Sequence, residues 1–148
     1  MNARTVLLSA ALALGLTPLA PAADADNSLY ERLGGKPAVE AVVSDLVDRI
    51  LLDQRVSGWF AHAASTPEAT AAYKSTLTDF VCQSVGGPCE YKGRDMAAAH
   101  TGRAITNDAF DAVVEDLLAT LAKFKVPQQE QDEVLALLGG LKPDIVQR

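Results

Sequence analysis

The chain predicts an all-α domain, and three observations carry that reading. Apolar residues recur at steps of three and four through most of its length. No alternating segment is long enough to offer a useful strand. Caps and breakers fall where helices would begin and end: Ser28, Thr66 and Thr106 at starts, Gly86-Gly87-Pro88 and Val126-Pro127 at stops.

The first residues follow another pattern. Arg4 supplies a basic start, Val6 to Leu16 an apolar run, and Ala20-Pro21-Ala22 a small-residue cleavage pattern. That is the layout of a secretory signal peptide over residues 1–22, cut after Ala22. The run is short for a membrane span, and Pro18 and Pro21 follow it. A domain of residues 23–148 is expected, exported to the periplasm. Losing Arg4 with the leader takes the net charge from −6 to −7, because the 19 acidic residues all remain. An acidic surface argues against nucleic acid and anionic membranes as partners.

In the domain, Ser28 and Glu31 form a capping box ahead of Leu33 and Gly34-Gly35. Pro37 opens a helix whose apolar face is Val39, Val42, Val43, Leu46, Val47, Ile50 and Leu51. Residues 53–58 read as a turn and 59–65 as a connector. Thr66-Pro67 starts a helix that aligns Tyr73, Leu77, Phe80 and Val81. After Gly86-Gly87-Pro88, residues 88–93 read as a loop. A short helix from about Arg94 carries His100 and ends at Gly102. Thr106 caps the next helix, with Phe110, Val113, Val114, Leu117, Leu118 and Leu121 inward. The last helix uses Val134, Leu135, Leu137 and Leu138 and is expected to end at Gly139-Gly140.

Cys82 and Cys89 flank the Gly-Gly-Pro bend. Export to an oxidising compartment favours a disulfide between them; the other reading is a pair of buried free thiols. Two cysteines and two scattered histidines show no zinc-ligand spacing.

His100 has two readings. One is a histidine at a helix end, favoured there by the helix dipole. The other starts from its neighbours: the preceding long helix carries Tyr73 and Phe80 on its apolar face, joined to the His100 helix by a short link. An imidazole on one wall facing an apolar, aromatic wall on another suits a haem.

Segment 28–146 resembles the group I truncated haemoglobins. "SLYERLGG" (28–35), "VGGPCEYKGRDM" (85–96) and "AHTGRAIT" (99–106) carry the resemblance. "FDAVVEDLLATLAKFKVP" (110–127) and "LLGGLKPDIV" (137–146) complete it. It implies a two-over-two helical sandwich around a b-type haem. It also implies reversible binding of oxygen or another diatomic gas, nitric oxide or carbon monoxide. By the resemblance His100 is the protein ligand to iron, Phe60 lies flat on the haem, and Arg103 is near a propionate. Met96 and Ile105 wall the proximal side. On the distal side the family usually pairs a tyrosine with a glutamine. Here those positions align with Val47 and Leu77, which leaves Tyr73 as the one obvious donor in a largely apolar pocket completed by Phe80 and Val81.

His62 is either a sixth iron ligand or a loop histidine. Two other functional classes share this scaffold. One is a six-coordinate haem redox protein served by an electron-donor protein; the other is a haem-free helical binding module. Nitric oxide dioxygenation or peroxidase-like turnover would need an outside electron donor, since the chain carries no flavin or nicotinamide domain.

Overall fold

The computed structural model describes residues 28–147, all helix and connecting loop. The leader and its cut after Ala22 lie outside the described residues. The order is α1 (Leu29–Arg32), α2 (Gly35–Leu52), a 3-10 helix (Ser57–Phe60), α3 (Pro67–Ser84), α4 (Met96–His100), α5 (Asn107–Lys123) and α6 (Gln128–Ile145). The α2–α3 pair packs on the α5–α6 pair, with α2 touching both α3 and α5. This is the expected two-over-two arrangement.

Helix α2 joins the layers because it is apolar on two sides. Val39, Val43 and Val47 form one cluster with Cys82 of α3, and Tyr73, Leu77 and Val81 pack against it. Leu46 and Ile50 belong to a second cluster with Ala109, Ala112, Leu117 and Leu121 of α5. Each fully buried aliphatic side chain contributes roughly 1.5–3 kcal/mol. The helix starts at Gly35, two residues before Pro37. Proline is tolerated there because a first-turn N–H has no helical partner to lose.

The caps act as expected. Ser28 accepts from the Glu31 N–H, Thr66 from that of Ala69, and Thr106 from that of Ala109. Three readings change. Part of the connector after the 53–58 turn winds into the 3-10 helix that carries Trp59 and Phe60. Helix α6 does not stop at Gly139-Gly140 but runs through them and through Pro143 to Ile145. A helical glycine costs about 1 kcal/mol; here Leu138 and Ile145 pack against the core and offset it. Leu118 is 37% exposed rather than inward, and Thr120 takes the fully buried place near it.

Thr120 is buried because it is bonded. Its hydroxyl donates to Asp45 on α2, which also accepts from Arg49 and Lys123. The network fastens α2 to α5 beside the apolar contacts. Burial alone would raise the Asp45 carboxyl, but hydrogen bonds from Lys123, Arg49 and Thr120 outweigh it and hold it at about 2.

Cys82 and Cys89 form a disulfide, with Cα atoms 5.7 Å apart. Gly87 lies between them at a close approach: a Cβ there would sit 2.5 Å from the Tyr30 ring and 2.6 Å from the Cys82 sulfur. The bridge ties the end of α3 to the loop that leads into α4.

Two outcomes are expected. Reducing the disulfide should lower the free energy of unfolding by about 2 kcal/mol; an unchanged urea midpoint in reductant would contradict this. Asp45 contributes stability above its unfolded value near 4, which is lost as pH falls through about 2. Asp45→Asn should therefore destabilise the protein by about 2 kcal/mol at neutral pH and progressively less below pH ~4. Parallel acid-unfolding curves for the two proteins would count against the network.

Candidate cofactor cavity

One cleft among the described residues has predominantly apolar walls. It encloses about 630 Å³ between α2, α3, α4, α5 and α6, within the size range of cofactor and ligand sites. Its walls are mostly aliphatic and aromatic. The only permanently charged side chains that line it are Arg94 and Arg103; none is a carboxylate, although the chain is acidic overall.

Helix α4 brings His100 to this cleft, yet five residues cannot sustain a helix alone. Asp95 caps its start by accepting from the Ala98 N–H at 2.8 Å. At its end the Thr101 hydroxyl donates to the Ala97 carbonyl at 2.7 Å, and Arg103 Nε donates to Ala99 at 2.8 Å. The imidazole is oriented too: His100 Nδ1 lies 2.8 Å from the Met96 carbonyl oxygen. A carbonyl can only accept, so Nδ1 carries a proton, and in the neutral ring Nε2 keeps its lone pair. That is the state and orientation of a metal-ligating histidine.

The opposite wall comes from α3, where the cap at Thr66 sets the helix phase. Tyr73, Leu77, Phe80 and Val81 all line the cleft. The Tyr73 and Phe60 rings meet edge to face, with centroids 5.9 Å apart. Burial in this apolar wall pushes the Tyr73 phenol up to about 12, a shift that the Arg103 charge reduces. The phenol therefore stays protonated, and can donate, through the physiological range. Among the described residues its hydroxyl makes no hydrogen bond.

The cleft brings together Phe60, Tyr73, Leu77, Phe80, Val81, Met96, His100, Arg103 and Ile105. Val47 stands apart. It is fully buried in a cluster with Val39, Val43 and Cys82 and, unlike Val39 and Val43, does not line the cleft. The apolar character expected from valine at that position is present as packing, not as surface facing a ligand. His62 lines the cleft from the connector, on an exposed residue.

Sequence reasoning missed Arg94, Tyr91 and Trp59. Arg94 joins Arg103 as a second cation on the cleft wall. Tyr91 packs edge to face on Phe80 at 5.1 Å and donates to the Arg94 carbonyl, closing the wall beside the disulfide loop. Trp59 Nε1 donates to the Arg103 carbonyl at 2.9 Å, tying the 3-10 helix to the segment after His100. No local pattern announces these contacts, because each joins segments set together only by the fold. The one available signal for Arg94 was its charge beside the Asp95 cap in an acidic chain.

An apolar slot, one oriented imidazole with a free Nε2, and two cations without a carboxylate fit a flat, apolar, metal-centred macrocycle with acidic substituents. His100 would hold the metal, and Arg94 and Arg103 could take the acidic groups. The cleft also extends between α5 and α6 past Leu121, Val134 and Leu138 to Phe124 and Leu137, which are 39% and 41% exposed. This arm is apolar and suits small uncharged molecules.

Comparison with known proteins gives consistent matches. Residues 28–147 match the family model described as bacterial-like globin. A group 1 truncated hemoglobin of Tetrahymena pyriformis is 32% identical over 120 residues, which span 81% of this chain and 95% of that protein. One from Synechocystis is 36% identical over 118 residues, spanning 77% and 91%. Among solved structures, the Fe(III) form of the Tetrahymena pyriformis truncated hemoglobin superposes with a TM-score of 0.73 at 31% identity, covering 82% of this chain and 99% of that one. The 2/2 hemoglobin of Synechococcus, solved in the cyanomet state with covalently attached heme, gives 0.72 at 35% identity with the same coverage.

In the haem-free protein, an absorbance titration of phenolate formation should show one tyrosine ionising near 12. Tyr73→Phe should remove that step. Because the folded value is raised, the neutral phenol stabilises the fold below its unfolded value near 10, and this is lost as pH rises through 12. A step near 12 that survives the substitution would place Tyr73 outside the apolar wall.

Proposed function

The chain belongs to the bacterial-like globin family, among the group I truncated haemoglobins, and on that premise we propose that it binds a diatomic gas reversibly at a b-type haem held by His100. The observation that carries the reading is the fixed imidazole: Nδ1 is committed to the Met96 carbonyl, so Nε2 is free toward an apolar cleft. When bound, the haem would supply a ferrous iron able to bind a gas such as oxygen, nitric oxide or carbon monoxide.

The protein's own residues shape that event. Leu77, Phe80, Val81 and Phe60 exclude water on the distal side, and Met96 and Ile105 do so on the proximal side. Arg94 and Arg103 would hold the propionates. Tyr73 is the donor toward the ligand. A hydrogen bond in a dry pocket is worth about 1–1.5 kcal/mol, close to tenfold in release rate. With valine and leucine at the positions where the family commonly has tyrosine and glutamine, this single donor gives weaker oxygen retention than the pair. An exported protein is part of the same proposal: the leader pattern of residues 1–22 supports it, and so does a disulfide suited to an oxidising compartment.

Adding haem to the purified chain should give a sharp Soret band. His100→Ala should lose or shift it, and no specific uptake by the parent protein would refute the function. Tyr73→Phe should speed oxygen dissociation about tenfold; an unaltered rate would remove Tyr73 from the mechanism. A six-coordinate ferrous spectrum without added gas would instead support a ligand-capped redox protein.

A further inference from the structure

The hydrogen bonds around α4 include one residue that no sequence pattern singled out. Gln147, just beyond α6, donates through Nε2 to the His100 carbonyl at 3.0 Å. Its Oε1 accepts from the Ala104 N–H at 2.9 Å. Its own backbone N–H donates to the Ile105 carbonyl at 3.0 Å. The orientation of the carboxamide is determined by its partners, since a carbonyl only accepts and an N–H only donates.

We propose that Gln147 is a positioning residue for His100, its carboxamide clamping the histidine's carbonyl and the Ala104 N–H so that the imidazole is presented to the cofactor at a set height and tilt. The proposal rests on His100 being the iron ligand.

The segment needs such a clamp. Residues 101–104 are exposed and turn sharply, with positive φ at Gly102 (78°) and at Ala104 (52°). A left-handed alanine is strained and persists only where its surroundings impose it. Two anchors do so: Trp59 on the Arg103 carbonyl, and Gln147 on both sides of the turn. Without Gln147, the His100 carbonyl keeps only the longer 3.2 Å bond from the Arg103 N–H. The Ala104 N–H keeps no partner among the described residues. The Met96 bond would still orient the ring within α4, but the end of α4 itself would be released. Gln147 thus acts on the iron ligand through the backbone, as groups outside the coordination sphere of metal sites commonly do.

The test compares Gln147→Ala, which removes both side-chain bonds, with Gln147→Glu, which can still accept from Ala104 but cannot donate to His100. In the haem-free chain the imidazole resonances of His100 are read by NMR, with His62, the only other histidine, as internal reference. Both variants should move the His100 resonances and leave those of His62 in place. Amide exchange at Ala104 should accelerate in the alanine variant and stay slow in the glutamate variant. In the haem-loaded chain, both should shift the iron–imidazole stretch of the ferrous form and raise haem loss to excess apomyoglobin on the order of tenfold. Far-UV circular dichroism confirms the helical fold in each. Unchanged His100 resonances in both variants would overturn the proposal, as would an unshifted stretch with unchanged haem loss. A chain that takes up no haem would refute the function, while the His100 resonances would still decide the clamp.

Discussion

A five-residue helix cannot hold itself, and the only imidazole fixed by the fold rides on one. Helix α4 gains one backbone hydrogen bond at most for each residue it orders, and nucleation alone costs more than that. Its position is therefore borrowed. Asp95 caps the start, Thr101 and Arg103 satisfy carbonyls at the end, and Gln147 and Trp59 pin the turn that follows. Every functional statement about His100 depends on this ring of short polar contacts rather than on the helix itself.

The larger architecture supplies the walls against which that small helix is placed. Helix α2 is apolar on two sides and so holds α3 and α5 at once. The Asp45–Thr120–Lys123 network adds direction to a contact that aliphatic packing alone would leave free to slide. The disulfide then fixes the end of α3, which carries the distal wall, to the loop leading into α4. The two sides of the cleft are thus joined covalently on one edge and through α6 and Gln147 on the other.

The cleft is chemically one-sided. It admits cations and excludes carboxylates in a chain that has more acidic than basic residues. Of the hydroxyls that line it, those of Thr76, Ser84 and Tyr91 donate to backbone carbonyls, and Tyr73 alone makes no hydrogen bond among the described residues. Such a site discriminates by shape and by one hydrogen bond. That matches the weak demands of a small neutral ligand more closely than those of a charged substrate.

Much of this was legible in the sequence, and the reasons are local. The 3.6-residue periodicity of residues 39–51, 73–81 and 110–121 shows helices because burial on one face demands it. Thr66 and Thr106 mark starts because their hydroxyls answer orphan N–H groups one turn ahead. The same periodicity put Tyr73 and Phe80 on one face of α3, whereas Phe60 and the ligand role of His100 were implied by resemblance to the truncated globins. What tertiary structure decided was every feature that depends on segments distant in the chain. Glycines at 139 and 140 read as a stop, but Leu138 and Ile145 packed on the core carry α6 past them. Val47 reads as a pocket residue, but the packing of α3 on α2 buries it with Cys82, out of the cleft lining. Arg94 and Gln147 carry no pattern, since a hydrogen bond spanning 47 residues exists only after folding has brought its two ends together.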